Sequence, residues 1–160
     1  MINALKQLQK QLKGELKLDE TTLILYSTDA SAYRQRPIAV FIPENDCIDD
    51  IKLLLDFCKK HNTFLIPRAA GTSLAGQVVG AGIVVDISKN LNKILEVNAE
   101  EKWVRVQAGV VLQQLNQYLK QYNLLFGPET STANRCCIAG MVGNNSCGLH
   151  SLVYGSARDH

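Results

Sequence analysis

Between Ile38 and Arg68 the chain reads as strand, helix, strand, and no other stretch restricts the fold as tightly. IAVFI, bounded by Pro37 and Pro43, is a short wholly apolar run of the kind found in a strand buried on both faces. Asn45 or Asp46 is placed to cap a following helix, and Asp49 and Asp50 lie near its positive end. Ile48, Ile51, Leu54, Leu55 and Cys58 then recur at helical spacing as a buried stripe. Lys59, Lys60 and His61 close the helix, where cations suit its dipole, and TFLI follows as a second buried strand. Two buried strands linked through one helix form a βαβ unit, which implies parallel pairing and a right-handed crossover.

The flanking segments are read in the same way. Ile2, Leu5, Leu8 and Leu12 share one face of an N-terminal helix. Leu18 to Tyr33 is ambiguous: TTLILYS has strand propensity, but STDAS marks a turn or helix end, with Asp29 placed to brace it. Past residue 80, GIVVDIS is a buried strand, and KILEV and WVRVQA form an antiparallel pair joined across NAEE. In the second of these, Val104, Val106 and Ala108 alternate with Trp103, Arg105 and Gln107, so Trp103 reads as a half-buried strand residue. Val111, Leu112, Leu115, Tyr118, Leu119 and Tyr122 then line one side of an amphipathic helix. From Phe126 to His160 periodicity fades into a long stretch rich in Gly, Ser, Thr and Asn. Its interspersed Ile138, Met141, Val142, Leu149 and Val153 mark it as an ordered, functional loop. No internal repeat is present.

Composition narrows the functional classes. At 160 residues and 46% hydrophobic content the chain makes one domain or one with two lobes, and is too apolar for disorder. The expected organisation is an N-terminal helical extension over about 1–34, a first lobe over about 35–88 and a second over about 89–160. A net charge of +2 with scattered basic residues argues against nucleic acid as a partner, and no apolar run approaches the ~20 residues of a membrane span. The segment after Met1 is polar rather than a secretory core, and the five cysteines lack disulfide-framework spacing. Reduced thiols in a cytoplasmic protein are the expectation, including the adjacent Cys136 and Cys137. No spacing fits a structural zinc or an iron–sulfur centre.

Only one of the eleven glycines, Gly14, precedes residue 70, so the loops that need glycine lie in the second half. PRAAGTSLAGQ follows a strand, and its small residues leave backbone N–H groups open to close approach by an anion. Arg68 adds positive charge, and Thr72 and Ser73 add hydroxyls. The stretch is neither GxGxxG nor a Walker loop, and a tight surface turn would use similar residues. A second region, with Pro128, Ser131, Thr132 and then IAGMVGNNSCG, offers another set of close-approach positions. Two such loops suit a long ligand with two polar ends and a diphosphate centre.

PRAAGTSLAGQVVGAGIVVDISKNLNKILEV, VQAGVVLQQLN, FGPETS, IAGMVGNNSCG and YGSARD, in that order, resemble the vanillyl-alcohol oxidase / p-cresol methylhydroxylase (PCMH-type) family of FAD-binding domains. The resemblance is strongest to its 2-hydroxy-acid dehydrogenase branch, typified by D-lactate dehydrogenase, D-2-hydroxyglutarate dehydrogenase and the glycolate oxidase flavin subunit. It implies an α+β fold, with a βαβ-containing first lobe and a second lobe of antiparallel sheet and helix. It also implies that Arg68, Ala69, Ala70, Gly71, Thr72, Ser73 and Gly76 surround the FAD diphosphate, mainly through backbone N–H groups. Pro128, Ser131, Thr132, Ala139, Gly140, Gly143, Asn144 and Ser146 fall on the stretch that accompanies the ribityl chain and flavin in the family. Ala69 and Ala139 stand where many relatives have glycine. Thr72 stands where relatives with covalent flavin often have histidine, so a noncovalent cofactor is implied.

In the resembling enzymes the chain continues past YGSARD into more of the flavin domain and a substrate-binding cap. This implies a C-terminally truncated domain without a catalytic base and without turnover on its own, in which FAD is weakly held or absent. A 2-hydroxy acid would then be a substrate of the full-length parent only, and an edge left uncovered would favour self-association. The alternatives are an FAD domain of another PCMH-type branch, or a noncatalytic nucleotide-binding or assembly module. His61 is read as a helix-end residue and His150 as solvent-exposed.

Overall fold

The computed structural model describes residues 1–160, which divide into two compact units, Met1–Asn90 and Leu91–His160. The first unit is a four-stranded sheet flanked by helices. In chain order its elements are α1 (Ile2–Gln9), β1 (Glu15–Lys17), α2 (Glu20–Leu25), β2 (Ala39–Ile42), α3 (Ile48–His61), β3 (Leu65–Arg68) and β4 (Ile83–Asp86). The strand order is β1-β2-β4-β3, with β2, β4 and β3 parallel and β1 antiparallel at the edge. The βαβ segment is therefore present, but its strands do not pair directly, because β4 inserts between them. The reason lies in the side chains. β2 and β4 are buried at every position, so they occupy the centre. β3 carries Pro67, which has no N–H to give, and takes the edge.

Alternation along the strands separates two apolar layers. Ala39, Phe41, Ile83 and Val85 pack with Leu54, Phe57 and Cys58 of α3 and with Leu5 and Leu8 of α1. Val40, Val84 and Ile66 pack on the opposite face with Leu23 of α2. Within α3, Ile48 and Leu55 are exposed, so its buried stripe is narrower than the spacing predicts. Neither Asn45 nor Asp46 caps α3; Cys47 stands at that position without a side-chain bond. Asp50 turns inward instead and is 2% exposed, accepting hydrogen bonds from the backbone N–H of Lys13 at 3.1 Å and Gly14 at 2.9 Å. Gly14 is required there, since a Cβ would lie 2.6 Å from the Ile42 carbonyl and 2.7 Å from the Phe41 ring.

Residues 1–34 are thus not a helical extension: they supply a strand of the sheet and two packed helices. The TTLIL stretch is helical despite its β propensity. Asp19 caps it by accepting from Thr22 N–H at 2.9 Å, and only Leu23 has a core to enter.

The second unit begins with a hairpin, β5 (Ile94–Asn98) and β6 (Trp103–Val106), antiparallel as the sequence predicts. α4 (Leu112–Leu119) lays Leu115 and Leu119, with Val110, against Ile94, Val97, Val104 and Val106 of the hairpin. A 3-10 turn, Lys120–Tyr122, ends it. Asn116 then holds the departing chain by accepting from Phe126 N–H at 2.9 Å and donating to the Phe126 carbonyl at 3.2 Å. The remainder, expected as one long loop, contains α5 (Ile138–Gly143), α6 (Ser151–Tyr154) and a 3-10 turn at Ala157–Asp159. Cys136, Met141 and Ala157 bury against Leu112, which is what orders this stretch.

Candidate functional site

The first glycine-rich loop leaves the sheet at the C-terminal end of β3, the end at which open parallel sheets bind ligands. Gly71 and Gly76 have φ of +66° and +70°, the left-handed region that glycine enters without penalty. The space is closed as well as the torsion. A Cβ on Gly71 would sit 2.6 Å from Nη2 of Arg68, and one on Gly76 would sit 2.7 Å from the Tyr33 ring. None of the backbone N–H groups from Ala69 to Leu74 donates to a protein acceptor. Farther along, the Ser73 hydroxyl accepts from Ala75 and Gln77 N–H and donates to Oε1 of Gln77, which folds the loop's second half back on itself. The result is a run of unengaged donors, half-buried from Ala69 to Ser73 and exposed at Leu74, with a guanidinium beside it. That arrangement can hold an anion.

The STDAS segment fastens this loop from the side. Arg68 Nη1 donates to the Thr28 carbonyl at 2.7 Å, and Ala30 N–H donates to the Gly71 carbonyl at 3.1 Å. Asp29 braces its own turn by accepting from Ser31 N–H at 2.8 Å, as the sequence implies, while its buried Oδ2 meets no protein donor. Tyr33, Arg34 and Gln35 form a shallow cleft with Ala75, Gly76 and Val79. Beneath the loop lies a group that sequence reasoning missed. The Tyr26 hydroxyl donates to Asp86 Oδ2 at 2.5 Å, and Asp86 Oδ1 accepts from the Ser88 backbone N–H and hydroxyl at 2.9 and 2.6 Å. Burial, reinforced by the bond to Asp86, pushes the Tyr26 phenol well above the usual tyrosine range, so it stays a neutral donor. A carboxylate closing the apolar strand IVVD was the available signal; nothing along the chain indicates that Tyr26 meets it.

The second glycine-rich region is built differently. Ala139, Gly140 and Gly143 lie in α5, and Asn144 is its C-cap, so they form a short helix rather than an open loop. The N–H groups of Ala139, Asn144 and Ser146 donate to the carbonyls of Ala108, Gly140 and Met141. At these three positions the backbone donors are therefore already committed. What faces outward is the surface of Gly140, Val142, Gly143 and Asn144. Pro128 is buried, Ser131 is exposed in the adjoining turn, and the Thr132 carbonyl accepts from Arg135 and Cys136 N–H.

The two halves of this region cross at Gly148, where a Cβ would lie 2.1 Å from the Glu129 carbonyl oxygen. His150 Nδ1 pairs with Glu129 Oε2 at 2.6 Å over the same crossing, so this exposed histidine is engaged in structure. The vicinal cysteines are both buried, Cys136 with its sulfur 3.1 Å from the Thr130 hydroxyl.

The family model described as an FAD binding domain matches residues 37–160, which include both regions. The chain belongs to that family. Curated members point to one branch of it. D-2-hydroxyglutarate dehydrogenase of Escherichia coli K12 is 39% identical over 164 residues, and that of Pseudomonas putida is 42% identical over 149. These matches take in 100% and 92% of this chain but only 16% and 15% of those proteins. The glycolate oxidase subunit GlcD of Bacillus subtilis is 32% identical over 154 residues, covering 94% of the chain and 32% of the relative. Thus the chain spans about a sixth of the D-2-hydroxyglutarate dehydrogenases it resembles.

Among solved structures, an alkyldihydroxyacetonephosphate synthase superposes with a TM-score of 0.83 at 19% identity, over 99% of this chain and 32% of that one. p-Cresol methylhydroxylase gives 0.74 at 16% identity, over 92% and 30%. At such identities the superpositions establish the PCMH-type α+β fold. No helix of this FAD-family chain is long and apolar enough to cross a membrane.

Proposed function

We propose that the chain forms the FAD-holding part of a flavin-dependent dehydrogenase or oxidase acting on a small 2-hydroxy acid of the D-2-hydroxyglutarate, D-lactate or glycolate type. The observation that carries the reading is the run of six backbone N–H groups without protein acceptors, next to Arg68. Those donors fit an anion of two adjacent phosphates. Ala69 to Ser73 would hold the diphosphate through N–H groups, with Arg68 supplying charge and Thr72 a hydroxyl. The methyl of Ala69 costs nothing, because its backbone is not in the left-handed region. Bound FAD supplies the two-electron acceptor for the hydride leaving C2 of the hydroxy acid.

Within the second unit, taken by itself, Ser131, Thr132 and the outward side of α5 form an exposed to half-buried surface. The N–H groups of Ala139, Asn144 and Ser146 are already used, so any ligand contact from those three positions would come from side chains, carbonyls or apolar surface. Thr72 offers no nucleophile suited to a flavin tether, so the cofactor would be noncovalent, and acid precipitation of the holoprotein should leave a colourless pellet. Asp86, beneath the loop, is buried and occupied by Tyr26 and Ser88, so it is not the base for the substrate hydroxyl.

Titrating the chain with FAD and following flavin fluorescence tests the proposal. Quenching that inorganic pyrophosphate competes away, and that Gly71→Ala removes, is the expected result. Binding indifferent to both would overturn it. Dehydrogenase assays with the three acids on the chain extended to the length of its relatives would decide the substrate class.

A further inference from the structure

We infer that Tyr26 is a positioning residue for the cofactor loop, holding the Arg68 guanidinium beneath Gly71 with a ring that buried Asp86 locks in place. The inference rests on the FAD reading above and adds a residue outside the glycine-rich segments. Three contacts carry it. The Arg68 guanidinium carbon lies 5.3 Å from the centroid of the Tyr26 ring, within the range of a cation–π contact. The hydroxyl of that ring is anchored at 2.5 Å to a carboxylate that is 4% exposed, and the carboxylate's other oxygen is fixed by Ser88. Lys89 Nζ lies 5.8 Å from the same centroid, so two cations converge on one electron-rich ring.

The register explains why a tyrosine serves here. Arg68 and Asp86 are partners in the parallel pair β3–β4, at the last rung of the sheet. A direct ion pair between them would neutralise the guanidinium. Tyr26 takes the carboxylate with its hydroxyl and offers the arginine only its face. Arg68 then spends Nη1 on the Thr28 carbonyl, and no protein acceptor engages Nη2 or Nε. Nη2 lies against Gly71, at the centre of the unengaged N–H run. The phenol thereby keeps charge available to the ligand instead of to Asp86. Loss of Tyr26 would free Arg68 to swing toward that carboxylate, lowering affinity for a diphosphate without removing any group that touches it.

The test is a double-mutant cycle on the chain, read as the FAD dissociation constant, with thermal melting of each apo variant alongside. Tyr26→Leu is expected to weaken FAD about tenfold, the size of a partly desolvated cation–π contact. Tyr26→Phe, which keeps the ring and loses the lock, should weaken it about threefold by the same measure. In an Arg68→Ala background, Tyr26→Leu should change affinity by less than about twofold, because its effect passes through the missing arginine. Independent, additive losses would overturn the inference while leaving the FAD reading intact. Wild-type chain that binds neither FAD nor pyrophosphate would defeat the FAD reading and this role together. As a readout needing no cofactor, the side-chain 15N–1H signals of Arg68 should carry a ring-current shift in wild type and Tyr26→Phe. Unchanged signals in Tyr26→Leu would also overturn the inference.

Discussion

The two glycine-rich regions look alike along the chain and differ in what their backbones are doing. Ala69–Leu74 leaves six consecutive N–H groups without a protein acceptor. By contrast, Ala139, Asn144 and Ser146 donate to carbonyls of their own unit, and four of the small residues lie within or at the end of α5. The glycines differ too. Gly71 and Gly76 have positive φ and are crowded by Arg68 and Tyr33, whereas a Cβ on Gly143 would meet nothing within 4 Å. A glycine-rich composition therefore has two separate physical meanings here: bare donors held open in the first region, and thin helix surface in the second. Donors not committed to the fold remain available to an anion, so the first region is the one with a ligand to gain.

The sharpest way to break this contrast is a pair of alanine substitutions. Gly71→Ala forces a left-handed alanine against Arg68, and strain of about 1–3 kcal/mol should cut FAD affinity by roughly tenfold to a hundredfold. Gly143→Ala should leave affinity within about threefold and raise stability by up to about 1 kcal/mol, as an added methyl in a helix does. Equal losses from both, measured by flavin fluorescence and thermal melting, would erase the distinction.

Amide hydrogen exchange addresses the same point without mutation. Amides of residues 69–74 should exchange fast in the apo chain and gain about tenfold or more in protection with FAD, as ligand-linked donors do. Those of Ala139, Asn144 and Ser146 should be protected already and change little. The reverse pattern would move the diphosphate to the second unit.

The supports of the two regions should fail at opposite ends of the pH scale. Tyr26 has a raised pKa in the folded chain, from burial and then from Asp86. Its contribution is complete below the unfolded value of about 10 and is lost as pH rises through the folded one. Asp159 has a lowered pKa, because the backbone N–H and hydroxyl of Ser156 donate to it in a capping box beside buried Ala157. That contribution is present above about pH 4 and fades as pH falls through the depressed value. Alkaline loss of structure near residues 68–76 should be flattened by Tyr26→Phe, and acid loss near 141–157 by Asp159→Asn. Coincident melting of both units at either extreme would contradict the assignment.

Smallest in effect is the Glu129–His150 pair. Both side chains are about half exposed, so Glu129→Gln should cost less than about 1 kcal/mol in thermal melting. A larger loss would mean that the crossing at Gly148 depends on the charge rather than on the absent side chain.

Much of this organisation is legible one residue at a time. IAVFI and GIVVDIS are legible as buried strands from their short apolar runs. TFLI is a strand but only half-buried at the sheet edge, with Phe64 exposed, and the motifs in series carry the family. The hairpin and α4 follow from periods of two and 3.6, which are local properties of the chain. Three things were not local. β4 enters between β2 and β3 because the most apolar strands compete for the centre and Pro67 can tolerate the edge. TTLIL becomes a helix because Asp19 caps it and the helical turn sends Leu23 into the core. Tyr26 meets Asp86, and Asp50 meets Gly14, across 60 and 36 residues. Residue order sets which loops are bare; only packing decides which bare loop keeps its donors unspent. Backbone hydrogen bonds are settled by whatever acceptor the fold brings within reach, and no spacing rule encodes that reach.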